Sequence, residues 1–380
     1  MNLITSEAVS IGHPDKVADQ ISDAMLDECL RQDANSRVAV ETMVTTNNVF
    51  LAGEVTTHAD VDIDGLVRNV VKDIGYDFDG FNYDNLTITR CIHRQSPDIA
   101  MGVDRDGAGD QGMMFGYAEG DVTTNYMPVP IYYAQKLMKA FQYRRISDDW
   151  GMKSLKPDAK CQITYDTDSR KIRTVVVSHQ HAEDIVKDAF RPECVNTILE
   201  TIPSDLLCPI RLLRADDQYG IGDEMTNVFI NPTGRFVEGG PSADTGLTGR
   251  KIVVDTYGGV GKIGGGAFSG KDPSKVDRSA AYMCRFVAKN LVASMKCQKA
   301  EVAVAYAIGV AEPVQVSVNT FGTGDDDRLT EYVKEKYDFR PKAIIERFGL
   351  RHPDGWTYRQ TAQNGHFCNV MFPWERIERA

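Results

Sequence analysis

Residues 37–57, RVAVETMVTTNNVFLAGEVTT, alternate apolar and polar side chains on both sides of Asn47-Asn48. A period of two marks a half-buried strand, and asparagine tolerates the positive φ of a tight two-residue turn, so the stretch reads as a β-hairpin. Ahead of it, Pro14 to Arg31 places Val17, Ile21, Ala24, Met25 and Cys29 at helical spacing; behind it, VDIDGLVRNVVKDI (61–74) reads as a second helix. The order helix, hairpin, helix comes round twice more. Pro128 to Tyr143 precedes CQITYDTDSRKIRTVVVSHQH (161–181) and AEDIVKDAFRPECVNTILETI (182–202), and Pro273 to Met295 precedes EVAVAYAIGVAEPVQVSVNTFG (301–322) and DRLTEYVKEKYDF (327–339).

Three rounds in one order predict an α+β protein of three related domains, each a hairpin-centred mixed or antiparallel sheet covered by helices on one face. Little residue identity links the rounds, so the repeat is one of architecture. The expected divisions are 1–96, a mobile loop at 97–108, 109–228 and 229–380. The stretch from Gln95 to Gly109, rich in Gly and Asp and poor in periodicity, is the expected lid.

A chain of 380 residues with 42% hydrophobic and 26% charged residues has ample material for folded cores. Its net charge of -11 argues against nucleic acid or an anionic membrane as the main partner. The longest apolar run, Val302 to Ala311, is far short of a membrane span, and MNLITSEAVS lacks the basic start and hydrophobic run of a leader, so a cytoplasmic location is expected. Eight scattered cysteines form no C-x-x-C pair and no cluster with histidine, which reads as buried thiols, not a zinc site.

Counted outward from a turn at Asn47-Asn48, Glu41 faces Glu54. Two opposed carboxylates repel and call for a cation, unless the hairpin end lies in solvent and the repulsion is screened. Elsewhere basic residues gather beside acids in Gly- and Asp-rich surroundings: Lys16 in IGHPDK, Lys160 in PDAK, Arg250 and Lys251 in GLTGRK, and Lys271, Lys275 and Arg278 in GGGAFSGKDPSKVDR (264–278). Lysines beside carboxylates suit a polyphosphate with magnesium, which takes one or two carboxylates plus phosphate oxygens. Pro14 and Pro273 read as helix starts, which would set His13 and Lys271 at helix N-termini, where N–H groups favour anions. Residues 265–272 nearly spell a P-loop, but Asp272 stands where a P-loop has its hydroxyl. A P-loop kinase, with the strand-like KIVVDTYGG ahead of the loop, and a non-catalytic nucleotide-binding regulator stay open on these residues alone.

The motifs GHPDK (12–16), GAGDQG (107–112), NPTGRF (231–236), GLTGRK (246–251) and GGGAFSGKDPSKVDRSAAY (264–282) together resemble the S-adenosylmethionine synthetases, or methionine adenosyltransferases, from Ser6 to the FPWE of residues 372–375. The resemblance implies three similar α+β domains about a pseudo-threefold axis. It also implies attack of the methionine sulfur on ribose C5′ of ATP, then hydrolysis of the released tripolyphosphate to phosphate and diphosphate. Two Mg²⁺ ions and one K⁺ ion per site are implied, with Asp15 and Asp277 holding magnesium and Glu41 potassium. His13, Lys160, Arg250 and Lys271 are implied to be catalytic. Asp158, Arg235, Phe236, Asp244, Lys251 and Ala267 join them in binding ATP, and Glu54, Gln95, Asp244 and Lys275 bind methionine. A homodimer or dimer of dimers with shared active sites is implied as well. The loop from Ala100 to Asp106 is several residues shorter than in the common bacterial form, which bears on lid closure.

Overall fold

Asn47 is the residue that turns the first hairpin, with φ of 48°. In the computed structural model, which describes residues 1–95, 107–120, 122–147, 154–185, 187–220 and 224–378, the closing pair is Thr45 and Asn48, so the turn is Thr46-Asn47. Asn48 instead begins the second strand, its Nδ2 donating to the Thr46 carbonyl at 2.7 Å. Moving the turn by one residue moves every partner by two: Glu41 lies opposite Ala52, and Glu54 opposite Ala39. The expected Glu41–Glu54 opposition is therefore corrected to a diagonal on the same face, roughly 7–8 Å apart. The repulsion that called for a cation is weaker than direct opposition, and Glu54 has His93 Nε2 at 3.3 Å.

The first segment runs β1 (Leu3–Val9), α1 (Pro14–Gln32), β2 (Arg37–Thr45), β3 (Asn48–Thr56), α2 (Ile63–Ile74), β4 (Asp77–Phe78), β5 (Phe81–Asn82) and β6 (Thr87–His93). The second runs β7 (Gly112–Glu119), α3 (Val129–Ser147), β8 (Leu155–Asp166), β9 (Lys171–His181), α4 (Lys187–Thr201), β10 (Ile210–Leu213) and β11 (Thr226–Ile230). The third runs β12 (Gly246–Leu247), α5 (Ile252–Asp255), α6 (Val276–Ala293), β13 (Lys299–Tyr306), β14 (Gln315–Asn319), α7 (Asp326–Lys336), α8 (Pro341–Phe348) and α9 (Tyr358–Thr361). The three rounds of helix, hairpin and helix are thus present, with α1, α3 and α6 as the equivalent helices.

The sheets do not respect the contiguous segments. Their orders are β12-β2-β3-β6, β1-β8-β9-β11-β10 and β14-β13-β7. Each segment lends one antiparallel strand to another: β1 pairs with β8, β7 with β13, and β12 with β2. The expected division at 228/229 falls inside β11, which pairs in parallel with β9. The expected loop at 97–108 lies, up to residue 106, outside the described residues, as does the shortened stretch 100–106.

Alternation along β2 buries Val38, Val40, Thr42 and Val44, and β3 adds Val49 and Leu51. The buried stripes of α1 and α6 share one core with the first and third sheets, while α3 packs with the central sheet in a second. Contact between β7 and α6 is so close that a Cβ on Gly116 would lie 1.9 Å from the Cys284 carbonyl carbon, which requires glycine there. The opposite face of β2 and β3 stays open, with Met43 and Phe50 paired across it and each 36% exposed.

Candidate active site

His13 caps α1. Its Nδ1 accepts the Asp15 N–H at 3.2 Å, and Pro14 follows at the first helical position, where a missing N–H costs nothing. That bond leaves the imidazole proton on Nε2. Burial first, then the charges of Lys251 and Lys160, hold the His13 pKa down to about 3. The ring is therefore a neutral donor at neutral pH. A kcat/KM profile is expected to carry no His13 step between about pH 5 and 8; a limb near 6.5 that disappears in His13→Asn would show otherwise.

Asp15, buried in the first turn of α1, gathers the basic motif of the third segment. Its Oδ1 accepts the Leu247 N–H at 2.9 Å and Arg250 Nε at 2.8 Å, and its Oδ2 accepts Lys251 Nζ at 2.6 Å. Burial alone pushes this carboxyl up, but the bonds from Lys251, Leu247 and Arg250 outweigh it and hold it below the usual range. Lys160 sits on β8 opposite Val9, near enough to depress His13. Two residues before it, Asp158 is buried and accepts the Gly240 N–H at 2.8 Å, while its Oδ1 has no partner. Burial raises the Asp158 pKa to about 6, with the exposed Asp244 adding to the rise. Phe236 is held by His181, its carbonyl accepting that residue's N–H at 2.9 Å and its own N–H donating to the ring Nε2 at 3.1 Å, and it lies against Gly239. These residues form one group around the start of α1. Arg235 does not join it: its guanidinium reaches Glu183 at 2.9 Å, both side chains exposed.

The second group lies on the open face of β2 and β3. Lys271 forms a β-bridge with Ala39, which puts its side chain on the face that carries Glu41 and Glu54. Lys271 Nζ reaches Asp277 Oδ2 at 2.6 Å. A Cβ on Gly266 would lie 2.0 Å from the Asp277 carboxyl carbon, so glycine makes room for that carboxylate. Gln95 follows, its N–H on Thr56 Oγ1 at 3.3 Å. Ala267 packs against Gly249, between the two groups.

Three readings need correction. The helix does not start at Pro273: α6 begins at Val276, because Asp272 takes the Ser274 N–H and Lys275 Nζ, at 2.8 and 2.9 Å, and closes a turn first. KIVVDTYGG is not a strand but includes the single turn α5, so the near P-loop lacks the strand ahead of it and the helix directly after it. Asp272 is wholly buried and exchanges bonds with Val38, its Oδ2 accepting that N–H at 2.8 Å, so it anchors the loop to β2. Lys16 faces inward, buried and paired with Asp19 at 3.0 Å and with Asp255.

Family models cover the chain in three pieces: the S-adenosylmethionine synthetase N-terminal domain over residues 1–97, the central domain over 105–236 and the C-terminal domain over 238–376. The S-adenosylmethionine synthase of Clostridium tetani is 48% identical over 400 residues, covering 99% of this chain and 97% of that protein. Those of Staphylococcus epidermidis and Sorangium cellulosum are 47% and 49% identical, over 99% of this chain and 96% and 88% of their own lengths. The chain belongs to the S-adenosylmethionine synthetase family.

The chain also holds its site loops with three residues that the sequence reading passed over, Asp19, Asp23 and Asp27. With Asp15 they recur every fourth residue along α1, a stripe of acids on a helix face turned inward. Asp19 accepts the Gly249 N–H, Asp23 the Gly270 N–H, and Asp27 those of Tyr358 and Arg359, each at 2.8 Å. The i, i+4 spacing was the available signal. It also sets the spacing of the two groups, since the Asp15 and Asp23 anchors are eight residues and about 12 Å apart along the helix.

Proposed function

We propose that this protein joins ATP to methionine to make S-adenosylmethionine, as the names of its relatives describe, and hydrolyses the released tripolyphosphate to phosphate and diphosphate. The observation that carries the reading is the convergence of Arg250, Lys251 and neutral His13 on Asp15, a cationic pocket with an oriented Nε2–H donor. In this reaction the methionine sulfur forms a bond to C5′ as the C5′–O bond breaks, and the electron pair leaves with the tripolyphosphate. A thioether has no proton to lose, so no base is needed; alignment and stabilisation of the leaving charge do the work. His13 donates to an oxygen near the broken bond, while Lys160, Arg250, Lys251 and Lys271 offset the phosphate charge. Phe236 offers adenine an aromatic face beside Asp158, Ala267 and Asp244. Glu54, Gln95 and Lys275 hold methionine. Incubation with ATP, methionine, Mg²⁺ and K⁺ should yield S-adenosylmethionine, phosphate and diphosphate; ADP as product would overturn the reading.

Family membership carries metal dependence. Asp15 and Asp277 are the hard oxygen donors that magnesium takes, each already facing a lysine that a bound phosphate can draw away. Among the described residues no three His, Cys, Asp or Glu side chains form a metal site, so an ion held here would draw the rest of its shell from phosphate oxygens and water. Two Mg²⁺ ions held this way would offset the charge of the leaving group. Glu41, exposed on the sheet face, suits K⁺. Glu41→Gln is expected to weaken activation by potassium and spare the magnesium requirement, and an unchanged potassium response in a titration would remove the assignment.

We further propose a homodimer at least, with each site shared. The open face of β2 and β3 supports this: Ala39, Met43, Phe50 and Ala52 surround the two glutamates. Inactive His13→Ala and Lys271→Ala subunits, mixed and reassembled, are expected to regain activity, because some sites then hold both intact residues. No recovery in a mixture shown to contain hybrids would argue that both serve the same subunit's site. No helix among the described residues is long and apolar enough to cross a membrane.

A further inference from the structure

We infer that Asp23, acting through Arg278, is a positioning residue for Lys271, an inference that rests on the role proposed above for Lys271. Arg278 is buried and spends all five of its N–H donors. Its Nη1 and Nη2 meet Asp23 Oδ1 and Oδ2 at 2.6 and 2.9 Å, and the same nitrogens reach the Lys271 carbonyl at 3.2 Å and Thr361 Oγ1 at 3.0 Å. Its Nε donates to the Tyr282 hydroxyl at 2.9 Å, which leaves that hydroxyl to donate to His366 Nδ1 at 2.7 Å. Asp23 Oδ1 also accepts the Gly270 N–H at 2.8 Å.

The pair therefore grips the chain on both sides of Lys271, at the Gly270 N–H and at the Lys271 carbonyl. From the other side β2 closes in: the Val40 N–H donates to the Gly270 carbonyl at 3.0 Å, and a Cβ on Gly270, whose φ is 79°, would lie 2.0 Å from the Val40 oxygen. With no slack in the backbone, the swing of the Lys271 side chain is limited to its own rotamers. Arg278 directly follows Asp277, so one guanidinium sets both ends of the Lys271–Asp277 pair. A buried fork with every donor matched is rigid, and rigidity at this point converts into placement of an ammonium group. A guanidinium is required, since a lysine at 278 has no planar fork to span Asp23 and the Lys271 carbonyl at once.

The test is a double-mutant cycle in kcat and in KM for methionine on the full-length enzyme, with thermal melts to show that each variant folds. Asp23→Asn is expected to lower kcat about tenfold or more, since misplacement on the scale of 1 Å has effects of that order. In a Lys271→Ala background the same change should lower kcat by less than about twofold, because the group being positioned is gone. A purely structural role predicts the same loss in both backgrounds, and that additive outcome overturns the inference. Arg278→Lys, which keeps the buried charge beside Asp23 but loses the fork, carries the same cycle if Asp23→Asn does not fold. A normal kcat in whichever variant folds overturns the inference too. A normal kcat in Lys271→Ala itself would instead remove the role of Lys271 on which the inference rests.

Discussion

Lys271→Ala is expected to lower kcat by about a hundredfold or more, on the order of 3 kcal/mol, with much less effect on KM for methionine. Lys271 Nζ faces Asp277 at 2.6 Å and both side chains are about three-quarters covered, so the ammonium is held in place while still reachable by a ligand. An interaction that strengthens as the tripolyphosphate departs acts on the transition state and appears in kcat. Steady-state kinetics with both substrates varied reads the split; a normal kcat would mean that the glycine-rich stretch does something other than hold the departing phosphates. Asp272→Thr is the informative companion. A damaged P-loop would be repaired by that hydroxyl, but here Asp272 anchors Val38, Ser274 and Lys275, so the change should impair the enzyme and bring no ATPase activity.

Glu375→Gln is expected to cost about 3–5 kcal/mol of stability, the range for breaking a buried ion pair. Glu375 lies in the core, where Arg285 reaches its two oxygens at 2.8 and 3.1 Å, Lys289 at 2.9 Å and Asn125 at 2.8 Å. Arg285 is also bound to the carbonyls of Tyr117, Asn125 and Tyr126, so this one carboxylate joins the end of the chain to α6 and to the second segment. Neutralising it leaves two buried cations facing an amide that can accept but not compensate them. Denaturant titration of both proteins, followed by tryptophan fluorescence, to which the buried Trp356 and Trp374 contribute, reads the difference. The exposed pair Lys334–Glu331 on α7 is the control, where Glu331→Gln should move stability by less than about 1 kcal/mol. Equal effects at the two sites would show that burial does not decide the cost.

Much of the fold was legible as local periodicity. Val17, Ile21 and Met25 mark the buried side of α1, and the alternation of Val38, Val40 and Val44 marks the buried side of β2; in both cases spacing along the chain equals direction in space. The motifs brought out His13, Asp15, Arg250 and Lys251, which the structure gathers at the start of α1, because charged residues among glycines stand out by type wherever they come together. Less direct signals failed for stated reasons. The hairpin register slipped by two because Asn47 and Asn48 are equally good turn residues by composition, and only the closed structure puts Asn47 alone at positive φ. Arg235 sits in a site motif, yet its side chain finds Glu183.

The sequence by itself determined where most of the helices and hairpins lie, their threefold recurrence and which residue types gather at the start of α1, since these depend on residue type and on near neighbours. Tertiary structure alone decided which strand completes which sheet, that Lys16 turns into a carboxylate pair, that Asp272 is an anchor and that Asp23 reaches Gly270 and Arg278. The physical reason is range. A strand edge or a buried charge must find a partner, but hydrogen bonding and charge neutralisation accept any partner of the right type; which one it meets, some 250 residues away for Asp23 and Arg278, is settled by how whole helices and sheets pack around the shared core.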